Sequence, residues 1–239
     1  MVTTFPLILQ ARLGKAAAEP FVTFYDVGTG ERTELSVTTY ANWVAKTSSL
    51  LLEEYDVERG SRVRIDLPAH WLGPVLLGAV WNLGATALLA DAPADSSDLV
   101  VTGPDGLARH SGTGIPVLAT ALHPLGRPFE EPLPGGVDDF GTSVWSQPDA
   151  FTPYDPPQGD DLAVEGSTQA QMWSAAAAGS LLTSGGRLFT EANPASPSGL
   201  ASFTQPLVLS GSVVLVAGDP DPGWIDSMCD TERVTDRSR

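Results

Sequence analysis

Apolar residues recur along this chain at two periods, and the switches between them outline a fold. Tyr40, Trp43, Val44, Thr47, Leu50 and Leu51 return every three or four positions with Glu53 and Glu54 outside the stripe, the spacing of a helix that buries one face. Ser36 precedes it and predicts the N-cap. Arg62 to Leu67 sets Val63, Ile65 and Leu67 against Arg64 and Asp66, a period of two that predicts a strand, and Trp71 to Leu83 is apolar on most sides, as a buried helix would be. Thr86 to Ala90 and Leu99 to Thr102 predict short strands. Nearer the start, Thr4 to Glu19 reads as a helix, and Phe21 to Asp26 and Arg32 to Leu35 flank Gly28-Thr29-Gly30 as a hairpin.

The same logic resumes downstream. Leu162 to Val164, Arg187 to Thr190 and Ser212 to Ala217 predict strands, with helices at Ser167 to Leu182 and Ser198 to Leu209 between them. Asp221 and Pro222 predict the N-cap and first residue of a last helix running to about Thr231. Strand, helix and strand in succession predict an α/β fold, its sheets mostly parallel and flanked by helices on both faces. Ten of the twenty prolines fall between Pro104 and Pro157, which excludes a long regular helix there. The expected organisation is a first α/β lobe at 1–125, a Pro-rich acidic connection at 126–160, a second α/β lobe at 161–234 and a frayed tail at 235–239.

Composition narrows the function classes. The formal net charge is −16, and residues 81–160 alone carry 11 acidic groups against 2 basic ones. That field opposes the phosphate contacts on which nucleic-acid affinity rests, so neither nucleic acid nor an anionic membrane is an expected partner. The single cysteine, Cys229, cannot close a disulfide within the chain, and no basic segment followed by an apolar core opens the sequence, so a cytoplasmic protein is expected. The longest nearly uncharged apolar stretch, Leu72 to Gly84, falls short of the roughly 18 residues that a membrane-spanning helix needs.

One run of residues carries a resemblance. Leu35-Ser36-Val37-Thr38-Thr39-Tyr40, the helix after it, Val57-Glu58-Arg59-Gly60-Ser61-Arg62-Val63, Leu67-Pro68 and Gly84-Ala85-Thr86 together resemble the opening of the adenylate-forming enzymes, which include acyl-CoA synthetases, adenylation domains and luciferases. Val213-Val214-Leu215-Val216 into Asp219-Pro220 resembles a later strand of the same domain. Asn42 to Thr47, Leu67 to Trp71 and Leu122 to Gly126 look like a family of short actinobacterial relatives of those enzymes. The resemblance covers about 20–234 and implies the large N-terminal domain of that superfamily, truncated.

The superfamily grips ATP with a loop of the form T-S-G-S-T-G-x-P-K-G, whose glycines and hydroxyls wrap phosphate while its lysine supplies charge. In register after Asp161-Leu162-Ala163, this chain has Val164-Glu165-Gly166-Ser167-Thr168-Gln169-Ala170-Gln171-Met172-Trp173. Gly166, Ser167 and Thr168 survive as the candidate phosphate contacts. Gln169 replaces the second glycine, Gln171 the proline and Met172 the lysine, and Glu165 adds a like charge where polyphosphate would sit. The resemblance therefore implies a domain with no catalytic residue and no bound cofactor. The catalytic lysine domain that the superfamily carries lies outside this sequence.

Other constellations have two readings each. Gly166-Ser167-Thr168 fits a phosphate at a helix N-terminus and equally a plain helix cap. Thr183-Ser184-Gly185-Gly186 resembles a phosphate loop in composition but follows a helix, as a C-cap and turn would. His110-Ser111 sets a base beside a nucleophile, yet no G-x-S-x-G elbow surrounds it and an exposed turn fits as well. His70 follows the strand ending at Leu67-Pro68, where open α/β sheets present their ligand crevice, and is a candidate ligand contact or a helix-start residue. Arg187 fits an anion contact or an ion pair. The three histidines lack metal-ligand spacing, so no metal site is expected.

The expectation is a catalytically inactive AMP-binding-enzyme-like domain that serves as a binding or interaction module, with a nucleotide or acyl group as the candidate ligand. The alternative is a partial acyl-activating subunit that needs a partner chain. The apolar segments Met172 to Leu182 and Leu200 to Leu209 predict an exposed patch on the second lobe, hence a homodimer or a protein partner there.

Overall fold

A computed structural model describes residues 3–89 and 96–238. Ala90, the end of one expected strand, and Arg239, the end of the tail, lie outside the described residues.

The chain opens with helix α1 (Phe5–Ala16), the hairpin β1 (Pro20–Asp26) and β2 (Glu31–Ser36), and helix α2 (Val37–Tyr55). Ser36 caps α2 as expected, its hydroxyl accepting the Thr39 N–H. Then come β3 (Arg62–Asp66), α3 (Leu72–Asn82), β4 (Thr86–Leu88), β5 (Leu99–Thr102), α4 (Leu107–His110) and β6 (Val117–Ala119). The Pro-rich connection contributes β7 (Val137–Asp139), paired parallel to β6, and the single turn α5 (Phe140–Ser143). After it run β8 (Leu162–Val164), β9 (Ser167–Thr168), α6 (Gln169–Ala177), β10 (Arg187–Thr190), α7 (Ala201–Val208), β11 (Ser212–Ala217), α8 (Pro222–Thr231) and β12 (Asp236–Ser238).

Two mostly parallel sheets result, ordered β12-β10-β11-β1-β2 and β7-β6-β5-β3-β4-β8-β9. The antiparallel pairs are β1 with β2 and β8 with β9. Each sheet draws strands from both sides of the connection: β1 pairs with β11, and β4 with β8. The described residues before and after the connection are thus interleaved and share one core. That core contains Phe21 and Phe24 of β1 and Val213 and Leu215 of β11 together with Val63 and Ile65 of β3, with helices α1, α2, α3, α6 and α7 packed among them. Every residue of α3 is buried, as a helix that is apolar all round requires. Gly78 permits its contact with α2, since a Cβ there would run into Tyr40 and Val44. Alternate residues of β11, Val214 and Val216, face the other way into a smaller cluster with Phe189, Met228 and Cys229, covered by α8.

Several expected boundaries shift for local reasons. Thr4 to Glu19 is helical only to Ala16. Ser167 and Thr168 are strand, so α6 is shorter at its start; it stops at Ala177 because Gly179 lies against the Gln205 side chain, whose Oε1 accepts the Leu181 N–H at 2.9 Å. The helix expected from Ser198 starts at Ala201, after a turn in which the Ser196 hydroxyl donates to the Asn193 carbonyl. The tail is not frayed through Ser238: β12 pairs in parallel with β10, and the Thr235 N–H donates to the Arg187 carbonyl at 2.9 Å.

The large side chains of α6 and α7, including Met172, Trp173, Phe203 and Leu207, are buried. Residues of α6 and its C-cap that face outward include Ala175, Ala177 and Ala178, and none of the exposed large hydrophobic residues among those described lies on α6 or α7. No helix among the described residues is long and apolar enough to cross a membrane.

Candidate functional site

The segment aligned with the superfamily's phosphate loop is a tight hairpin. Leu162 pairs with Thr168 and Val164 with Ser167, and Gly166 turns the chain at φ +74°, in the left-handed region that glycine tolerates. The Glu165 carboxylate at the tip takes an ion pair from Arg62 at 2.8 Å. Thr168 then caps α6 in a reciprocal box: its hydroxyl accepts the Gln171 N–H, and Gln171 Oε1 accepts the Thr168 N–H at 3.0 Å.

A phosphate site at a helix N-terminus works because the first N–H groups of the helix have no partner of their own. Here they are occupied. Besides the two of the capping box, the Gln169 N–H donates to the Asp161 carbonyl at 2.8 Å and the Ala170 N–H to the Gly159 carbonyl at 2.9 Å. Four consecutive donors, from Thr168 to Gln171, are therefore spent inside the protein.

Two of the three replaced positions, Gln169 and Met172, point inward. Gln169 is fully buried, its Oε1 accepting the backbone N–H of Phe5 at 2.8 Å and its Nε2 donating to the Trp81 carbonyl at 2.8 Å. One amide thereby pins the start of α1 to the end of α3. Met172, in the place of the cradle lysine, is buried in the main core. The sequence flagged both positions as departures but not their structural task, which depends on partners 164 and 88 positions away.

His70 lies beyond the carboxyl end of β3 and is 4 % exposed. Its Nδ1 accepts the Leu72 N–H at 3.2 Å, and its ring packs edge-on against Phe24 with centroids 4.8 Å apart. Burial drives its pKa down to about 3 against the opposing pull of Asp26 and the Leu122 backbone, so the ring is neutral at pH 7. It starts α3 and packs beneath it, and the structure does not bring it together with Gly166, Ser167 and Thr168 through any contact.

The remaining candidates take structural positions. His110 Nε2 meets Asp66 Oδ2 at 2.7 Å, and Arg109 meets the same oxygen at 2.6 Å, so that histidine serves a carboxylate at the carboxyl end of β3. Gly185, at φ +77°, turns the Thr183–Gly186 segment, and its N–H donates to the Leu209 carbonyl. Asp221 caps α8 through the Trp224 N–H at 3.0 Å. Arg187 is well buried and pairs with Glu232 at 2.5 Å, which also receives Arg32 at 2.9 Å and the Tyr25 hydroxyl. Burial pushes the Glu232 carboxyl up, but the hydrogen bonds from Tyr25, Arg187 and Arg32 outweigh it and hold the group below its usual range. Among the described residues no group of three or more histidine, cysteine or carboxylate side chains is placed to hold a metal ion.

Comparison with known proteins gives three results. No family model matches the chain. It is 37% identical over 235 residues to a TIGR03089 family protein of Mycobacterium tuberculosis, across 95% of both chains. Its fold matches a Brucella canis acyl-CoA synthetase with a TM-score of 0.81 at 19% identity, and the N-terminal domain of FACL13 from Mycobacterium tuberculosis with a TM-score of 0.71 at 16% identity. The chain spans 47% of the first and 61% of the second, while 98% and 97% of it is covered. The chain thus shares the fold of the N-terminal domain of FACL13 and of about half of that acyl-CoA synthetase.

Proposed function

This chain belongs to the TIGR03089 family, and on that premise we propose that it is an adenylate-forming fold whose nucleotide loop has been turned to structural use, so that it acts as a binding or interaction module and not as an acyl-activating enzyme. The observation that carries this reading is the occupation of the four N–H donors at the start of α6 by Gln171 Oε1, Asp161, Gly159 and Thr168 Oγ1. A triphosphate seated there would have to displace those bonds and approach Glu165 without a lysine nearby, since Met172 faces the core. With Cys229 buried and unpaired, the module is read as cytoplasmic.

A ligand that prefers the folded state raises apparent stability by mass action, so a thermal-shift assay tests the reading. Mg-ATP is expected to leave the melting temperature unchanged. A saturable upward shift with Mg-ATP would show a working nucleotide site and overturn the proposal.

A further inference from the structure

A cleft of 420 Å³ opens between α1, α6 and the end of α7. Its base is Arg12, which is 4 % exposed. The guanidinium lies 5.4 Å from the centroid of the Phe21 ring, and its Nη2 donates to the Gly211 carbonyl at 2.8 Å. Its Nε and Nη1 have no hydrogen-bond partner among the described residues. A buried cation with spare donors is costly, since burial disfavours the charge; that cost lowers the Arg12 pKa, which Glu19 opposes.

The cleft's chemistry runs against the rest of the molecule. In a chain with 29 acidic and 13 basic residues, its lining among the described residues holds Arg12 and Lys15 and no carboxylate. Ser174 and Ser210 add hydroxyls, while Ile8, Trp173, Leu207 and Val208 make the remaining walls apolar. The volume suits a small organic molecule, and a few convergent polar groups on an apolar wall are what such sites present.

We propose that this cleft binds an amphiphilic organic oxyanion, its charged head on Arg12 and Lys15 and its apolar body against Trp173, Leu207 and Val208. Both cations line the cleft, so a carboxylate, sulfonate or phosphate head seated there meets positive charge on Arg12 and Lys15. This deepens the binding-module reading, on which it rests for its purpose, by giving the ligand a chemical class and a location.

Calorimetric titration of the full chain with naphthalene-2-carboxylate, naphthalene-2-sulfonate and 2-naphthyl phosphate tests the site, with naphthalene-2-methanol as the neutral probe. At least one anion is expected to bind about tenfold or more tightly than the alcohol, as a charge-assisted bond implies, and the ranking of the three identifies the head group. Arg12→Gln is expected to abolish that preference. Because Arg12 also supports packing, Ala177→Phe, which fills the cleft from an exposed position on α6, serves as the second variant and is expected to weaken the preferred anion about tenfold. No binding up to about millimolar concentration, equal affinity for anion and alcohol, or an Ala177→Phe variant that binds as the unmodified chain does would each overturn the proposal. Failure of this titration leaves the nucleotide assay's result standing, and a nucleotide shift leaves the titration's result standing, so the two readings fail separately.

Discussion

Gln169 Oε1 accepts the backbone N–H of Phe5 at 2.8 Å across 164 positions of sequence. A helix N-terminus buried without partners would leave orphan donors, and this amide satisfies one of those of α1. Its Nε2 donates to the Trp81 carbonyl at the end of α3, an oxygen that also accepts the Gly84 N–H at 3.2 Å. Restoring the superfamily's glycine with Gln169→Gly removes both bonds and leaves a cavity beside Trp173. The expected loss is about 2–4 kcal/mol, measured by urea unfolding. A change below about 0.5 kcal/mol would mean that the amide is not the tie described here.

Met172 makes a matched pair of variants informative. Met172→Leu conserves volume and is expected to cost less than about 1.5 kcal/mol. Met172→Lys places an ammonium in the main core, with an expected loss of about 3 kcal/mol or more on the same denaturant curve. Equal stability of the two variants would show that the position opens to solvent.

His70 couples stability to acid. Its folded-state pKa of about 3 lies below the unfolded value near 6.5, so between these values the unfolded chain binds the extra proton. The stabilising contribution of the neutral ring is therefore complete above about pH 6.5 and declines as pH falls towards 3. Between pH 7 and pH 5 it should cost about 1–2 kcal/mol. His70→Asn, which keeps an acceptor for the Leu72 N–H, is expected to flatten that slope. An unchanged slope in the variant would assign the pH dependence to other groups.

Glu232 ties the end of α8 to β1, β2 and β10 through Tyr25, Arg32 and Arg187. Its side chain is 7% exposed, and removing its charge takes the 2.5 Å ion pair from the buried Arg187, which keeps Glu34 at 3.9 Å, while Arg32 keeps Glu34 at 2.7 Å. Glu232→Gln is expected to destabilise by about 3 kcal/mol, with amide exchange in β12 and α8 accelerated before the rest. Since its pKa is depressed, this contribution is present above about pH 4.5 and is lost as pH falls below that. Uniform exchange across both sheets in the variant would contradict this local role.

Period and punctuation made most of the elements legible in the sequence. Ser36 and Asp221 cap the helices they were expected to cap, and the alternation in Arg62 to Leu67 is β3. What the pattern did not reveal is pairing. The joining of β1 to β11 and β4 to β8 is a contact between distant segments that leaves no local signal. The error at Ser167 has the same origin, because residues that fit a helix start also fit the return strand of a hairpin once Gly166 turns the chain. Arg12 escaped notice because one cation in an amphipathic helix carries no mark of its burial, which Phe21 and Gly211 impose from elsewhere.

Pyrophosphate exchange into ATP, measured on the full chain with magnesium and a panel of carboxylic acids, tests the central claim most directly. The account predicts exchange no greater than in the absence of protein for the unmodified chain, because the donors at the start of α6 are already engaged. Carboxylate-dependent exchange by the unmodified chain would contradict it.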